Sequence, residues 1–213
     1  IGQIVGKEKM REFLTLIGLL DKMKFDIEEV GKPLTFKWGD CKLKTASYGH
    51  GITTTPIQLA KGYAILSNGG YQVNPTLIKK KFDKSKRVKI LKQDVSSKIN
   101  PILRKVVTSG TASLSDVEGY EVGGKTGTAQ IVDNGIYTSK KINTFASVFP
   151  ISDPKYVLVI LLEDTKLSKD YVYKYRNKPG SFTGTPFNTS GWTSVEIAGK
   201  IIDKIGPILA TKY

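Results

Sequence analysis

The chain has 213 residues, 39% hydrophobic and 24% charged, which is enough apolar mass for one sizeable core and unlike a disordered chain. The single cysteine, Cys41, excludes an internal disulfide and a multi-thiolate metal site, and the single histidine, His50, is all that a Ser-His-Asp triad could use. The net charge of +14 invites an anionic partner, but much of it lies in one run, Lys79, Lys80, Lys81, Lys84, Lys86, Arg87, Lys89 and Lys92, without the repeated aromatics that stack on bases. That run reads as a solvated face, and no nucleic-acid partner is expected.

No leader pattern and no apolar run of about 18 residues is visible. The first residue is Ile1 rather than Met, so neither absence bears on the intact protein. Residues 7–20 carry Met10, Phe13, Leu14 and Ile17 on one helical face. Residues 21–46 read as irregular, with turn signals at Lys32-Pro33 and Trp38-Gly39-Asp40.

The next helix is well punctuated. Thr55 can cap it, Pro56 suits its first position, and Gln58 completes a capping box. Ile57, Ala60, Ala64 and Tyr63 give its apolar face, and Asn68-Gly69-Gly70 ends it. Residues 75–92 read as a basic hairpin. Residues 94–108 read as a helix carrying Val95, Ile99, Ile102, Leu103 and Val106, with Pro101 as a kink or a late start.

Three strands follow, at about 121–132, 143–150 and 156–163. The last is continuously apolar, as for a strand covered on both faces. Asp133-Asn134-Gly135 and Ser152-Asp153-Pro154 are turns, and connections this short imply antiparallel pairing. Residues 164–191 form a long polar loop. Tyr171, Tyr173 and Tyr175 alternate within it, lining a cleft or presenting an exposed strand face. A final helix starts at Thr193 with Glu196 as its capping-box partner, and Gly206-Pro207 ends or bends it. The fold class is therefore α+β, an antiparallel sheet flanked by helices, in one domain over residues 1–213.

Lys125 admits two readings. Gly119 to Thr126 (GYEVGGKT) formally matches the phosphate-loop pattern GxxxxGK[ST]. That loop needs a buried strand before the glycines and a helix directly after Lys-Thr. Here Thr111 to Glu118 is too polar for the strand, and Gly127 with the turn at Asn134-Gly135 opposes the helix. The alternative is Lys-Thr-Gly on a strand, as in serine penicillin-recognising enzymes. Lysine then supplies a fixed positive charge, threonine hydroxyls hold a carboxylate, and Gly127 lets substrate approach the backbone.

The surrounding blocks carry a resemblance. Ser47 to Ala60 (SYGHGITTTPIQLA), Val106 to Ala112 (VVTSGTA), Gly124 to Gln130 (GKTGTAQ) and Gly191 to Gly199 (GWTSVEIAG) resemble, in order, segments of class B penicillin-binding proteins. The last block is similar to the closing helix of septal members. The resemblance implies part of the serine β-lactamase/penicillin-binding transpeptidase fold and a peptidoglycan D,D-transpeptidase. It implies stem peptides ending in D-alanyl-D-alanine as substrate, β-lactams as ligands and membrane proteins of the division machinery as partners. An inner-membrane anchor with a periplasmic domain is implied too, and no cofactor or metal.

By the same resemblance Lys125 is the catalytic-site lysine, and Thr126, Gly127 and Thr128 bind substrate, the Thr128 N–H serving as an oxyanion donor. No Ser-x-x-Lys suits the nucleophile role. The expectation is that the chain is the C-terminal portion of a transpeptidase domain, inactive alone, with its nucleophile and its Ser-x-Asn upstream. A degenerate, non-enzymatic penicillin-binding scaffold is the alternative.

Overall fold

The computed structural model describes residues 1–34, 37–79 and 84–212, and these form two compact units, Ile1–Val95 and Ser96–Tyr213. In the first, helices α1 (Gly2–Val5) and α2 (Lys7–Leu16) are followed by α3 (Asp40–Ala46) and α4 (Pro56–Ser67). The helix expected over 7–20 thus ends four residues early, and part of the irregular stretch is helical. Gly39 is the N-cap of α3, so the turn signal at Trp38-Gly39-Asp40 is a helix start.

The capping box of α4 forms as its residues dictate. The Gln58 N–H donates to Thr55 Oγ1, and the Thr55 N–H donates to Gln58 Oε1 at 3.1 Å. The rest of Gln58 is used as well: its Nε2 donates to the Gly18 and Asp21 carbonyls, which ties the loop after α2 to α4. Gln58, Gly62 and Ile65 are therefore the buried face, while Ile57, Ala60, Tyr63 and Ala64 are only half-buried. A satisfied buried amide took a place that periodicity assigns to apolar residues. Leu14, Ile17 and Ile65 make the core of this unit, with Trp38 packed on it.

The basic hairpin does not form a ladder among the described residues. A single bridge joins Tyr71 and Lys89, a short 3-10 turn covers Lys84–Lys86, and Lys80 and Lys81 lie outside the described residues. Arg87 instead lies over the Tyr71 ring at 4.1 Å.

Tyr63 gives this unit an alkaline signature. Burial pushes its phenol from 10.0 to about 12. The folded value lies above the unfolded one, so its contribution is complete below pH ~10 and is lost as pH rises toward ~12, at roughly 1.4 kcal/mol per pH unit. Denaturation midpoints compared at about pH 9 and about pH 11.5 should fall more for wild type than for Tyr63→Phe. Equal losses in the two proteins would exclude this role for Tyr63.

Helix α5 (Gln93–Thr108) carries Pro101 inside it and leads into the second unit. It buries Leu103 and Val107 but leaves Ile102 61% exposed, so the expected apolar face is rotated. Strands β1 (Gly123–Asp133), β2 (Ile136–Phe149) and β3 (Tyr156–Glu163) form an antiparallel sheet in that order, with β1 at one edge. Asn134 and Gly135 have φ of 48° and 79°, the double positive φ of a tight hairpin turn that matches strand twist. Phe145 on β2 is fully buried, and a Cβ on Gly124 would lie 2.7 Å from its ring, which is why the lysine strand opens on glycine.

Strand β3 is half-buried along its length and is not covered on both faces as its composition suggested. Tyr156, Leu158 and Ile160 pack on the core, whereas Leu161 is 44% exposed. The 164–191 segment is not a structureless loop. It holds a small hairpin of β4 (Val172–Lys174) and β5 (Ser181–Thr183) and ends in a 3-10 turn over Ser190–Trp192. Tyr173, within that hairpin, is a core residue, stacked on Phe182, its hydroxyl donating to the Trp192 carbonyl and accepting from Thr185 Oγ1.

Helix α6 (Ser194–Ala210) covers the sheet with Val195, Ala198 and Ile202, and it runs through Pro207 instead of ending there. Its expected capping box is absent. Thr193 Oγ1 donates to the Thr189 carbonyl, and Glu196 faces the buried Arg176 at 2.9 Å and the Tyr171 hydroxyl at 3.0 Å. A buried guanidinium is a stronger partner for a carboxylate than the backbone N–H at the cap.

Candidate active site

Strand geometry sorts the four predicted site residues into two pairs. Side chains alternate across a strand, so Thr126 and Thr128 share a face and Lys125 and Gly127 do not. A cleft of about 400 Å³ opens on the Thr126–Thr128 face. Its other walls are Thr111 with Leu114, Tyr175 from the hairpin segment, and the Ser190–Trp192 turn.

Lys125 does not line this cleft. It is exposed, and its Nζ donates to the Thr126 carbonyl at 2.8 Å. Gly127 adds no side chain, but its carbonyl accepts from Ser190 Oγ.

The hydroxyls on the cleft face are not equivalent. Thr126 Oγ1 lies 2.8 Å from Thr111 Oγ1, and neither hydroxyl has another hydrogen-bond partner among the described residues. Two hydroxyls that bond once to each other keep one proton to give. Thr128 Oγ1 accepts the Ser190 N–H at 3.0 Å, lies 2.9 Å from Ser190 Oγ, and donates toward Asn143 Oδ1 at 3.2 Å. Behind it, Asn143 Nδ2 donates to Thr165 Oγ1 and to Asn188 Oδ1, and Thr165 Oγ1 donates to Asn188 Oδ1. Asn143 is fully buried, and this chain satisfies its amide.

Aromatic packing holds the wall in place. Trp192 meets the Tyr173 and Phe182 rings edge-on at 5.5 and 4.8 Å, so the β4–β5 hairpin buttresses the turn that carries Ser190. Arg176, next to the cleft residue Tyr175, is fixed by Glu196 and by the Leu114 carbonyl. The sequence reading missed Ser190, Asn143, Thr165 and Asn188. Ser190 and Asn188 lie just before the quoted Gly191-Trp192 block, but no spacing rule connects them to Thr128.

The phosphate-loop reading fails on geometry. Lys125 and Thr126 lie inside β1, which continues to Asp133, so no helix N-terminus stands where a phosphate would bind. A formal Ser-x-x-Lys also exists, Ser152 to Lys155. It lies on the β2–β3 turn, with Ser152 Oγ donating to Glu121 and Lys155 paired to Asp153 at 2.8 Å, and neither residue lines the cleft. His50 lies just beyond α3, its N–H donating to the Thr45 carbonyl. Cys41 is free and exposed.

Comparison with known proteins bears on the family and the fold. The family model described as "Penicillin binding protein transpeptidase domain" matches residues 1–180. A probable peptidoglycan D,D-transpeptidase FtsI of Caulobacter vibrioides is 29% identical, with 100% of this chain aligned to 36% of that protein. Stage V sporulation protein D of Bacillus subtilis is 32% identical over 78% of this chain and 28% of its own length. The chain thus spans about a third of the curated relatives it matches. Among solved structures, the transpeptidase domain of Burkholderia pseudomallei penicillin-binding protein 3 superposes with a TM-score of 0.78 at 21% identity, over 97% of this chain and 59% of that one. The transpeptidase domain of FtsI4 from Legionella pneumophila gives 0.63 at 26%, over 96% and 63%.

Proposed function

The chain belongs to the penicillin-binding protein transpeptidase family, in its class B branch, and from that membership we propose that the intact protein is a serine-type peptidoglycan D,D-transpeptidase. The observation that carries the reading is the Thr126–Thr128 hydroxyl face of the lysine strand, which forms one wall of a cleft. Neutral hydroxyl donors on a rigid strand suit the terminal carboxylate of a D-alanyl-D-alanine stem peptide or of a β-lactam. Strand β1 is an edge strand, so an extended peptide can lie along it.

In the proposed reaction a serine Oγ bonds to the carbonyl carbon between the two D-alanines, and the terminal D-alanine leaves with a proton. An amine of a neighbouring strand then attacks the acyl-enzyme and frees the serine, which completes the cross-link. Thr126 and Thr128 orient the carboxylate, the Thr128 N–H takes part in the oxyanion site, and Lys125 contributes positive potential to the strand. The resemblance of the Gly191-Trp192 entry to α6 supports a septal role. With it go an inner-membrane anchor, a periplasmic active domain and division-machinery partners. No helix among the described residues is long and apolar enough to cross a membrane.

The test is covalent labelling by a fluorescent penicillin. The intact protein, expressed from its complete gene, should be labelled, and the 213-residue chain alone should not, because its one Ser-x-x-Lys, Ser152 to Lys155, does not line the cleft. An unlabelled intact protein would leave a non-enzymatic scaffold as the better reading. Labelling of the chain alone would show a nucleophile within it.

A further inference from the structure

The hydrogen bonds around Thr128 make the two cleft threonines unequal. The Ser190 hydroxyl has one proton, and it goes to the Gly127 carbonyl, which can only accept. Ser190 Oγ must therefore accept from Thr128 across their 2.9 Å contact. Asn143 is fixed in the orientation that also turns an acceptor to Thr128, because its Nδ2 faces two oxygens, Thr165 Oγ1 at 2.8 Å and Asn188 Oδ1 at 2.6 Å. Asn188 is in turn held by its own Nδ2 donating to the Thr165 carbonyl at 2.9 Å.

The single Thr128 proton thus has two internal acceptors, Ser190 Oγ and Asn143 Oδ1, both on buried residues. The side of Thr128 Oγ1 facing a ligand is then a lone pair, which repels a carboxylate. Thr126 differs, because its pair with Thr111 keeps one proton to give. A carboxylate that recruits Thr128 must draw its proton away and strand the buried Asn143 oxygen, an acceptor that is costly to leave unpaired.

We propose that Ser190 and Asn143 are positioning residues that hold the Thr128 proton inward, so that Thr126 with Thr111 carries the carboxylate and Thr128 joins only after its hydroxyl turns. Ser190 sets how strongly the cleft discriminates for a ligand carboxylate. The inference rests on the transpeptidase reading and assigns unequal roles within its binding face.

The experiment compares acylation rates of the intact protein by benzylpenicillin and by its methyl ester, each read by competition with fluorescent penicillin. Ser190→Ala removes one internal acceptor and keeps the backbone N–H that holds Thr128 Oγ1. The acid-to-ester rate ratio should rise about two- to tenfold, the range of one neutral hydrogen bond. Ser190→Gly removes the same hydroxyl and should give the same sign, which covers failure of the alanine variant to fold. A purely structural role for Ser190 would move both rates together and leave the ratio unchanged. An unchanged or lower ratio in a folded variant overturns the proposal, while a wild type that is not acylated at all removes the transpeptidase reading and this proposal with it.

Discussion

Glu196→Ala should cost the second unit about 3–5 kcal/mol, the loss typical when one partner of a buried ion pair is removed. The Arg176 and Glu196 side chains are 12% and 6% exposed, and the guanidinium contacts both carboxylate oxygens, at 2.9 and 3.2 Å. Truncation strands a buried cation, and it also takes the acceptor from the Tyr171 hydroxyl. Water cannot easily repay either group at such depth. Chemical denaturation of the 213-residue chain measures the effect, and a loss below about 1 kcal/mol, the scale of a surface pair, would show that the pair is solvated. The double variant Arg176→Met/Glu196→Leu should recover much of the loss, since a hydrophobic replacement of a buried pair is often neutral. The consequence reaches the cleft: Arg176 holds the segment bearing Tyr175, so Glu196→Ala in the intact protein should also loosen that wall.

Thr126→Val in the intact protein should slow acylation by benzylpenicillin about 10- to 100-fold, the value of a hydrogen bond to a charged partner. Valine keeps the shape and the strand preference of threonine, so the sheet should tolerate it. The Thr126–Thr111 pair, 2.8 Å apart, is the one on this face with a proton to spare, and Thr126→Val breaks it. The methyl ester, which carries no anionic charge there, should be affected much less. A change below about twofold with the free acid would place the carboxylate elsewhere in the cleft.

Much of the frame was legible from local chemistry. Thr55, Pro56 and Gln58 specify a helix start with groups that lie within one turn of one another, and the box forms as read. Asn134-Gly135 specifies a hairpin because few residues accept two positive φ values in succession, and the strands on either side pair antiparallel as the short turn requires. The lysine strand was legible for the same reason: Gly127 and the nearby turn exclude the helix that a phosphate loop needs. The family followed from blocks of residues, and the comparisons bear it out.

Other features were set by partners far away in the chain. Thr193 and Glu196 have the spacing of a capping box, yet Glu196 bonds to Arg176, twenty residues upstream, because a buried guanidinium outcompetes a nearby backbone N–H. Gln58 occupies a core position because two carbonyls from the loop after α2 converge on it. Tyr173 looked like one of three alternating loop tyrosines, and only the packing of Phe182 and Trp192 around it makes it core.

Thr126 and Thr128 show the same division at the site itself. Their spacing alone puts them on one face, since side chains alternate along a strand. Whether each hydroxyl can give its proton to a ligand was decided by Thr111, Ser190 and Asn143, between 15 and 62 residues away. Local sequence fixes backbone preference over a few residues, whereas the direction of a hydroxyl proton depends on every acceptor within hydrogen-bond reach, and only the tertiary fold brings those acceptors together.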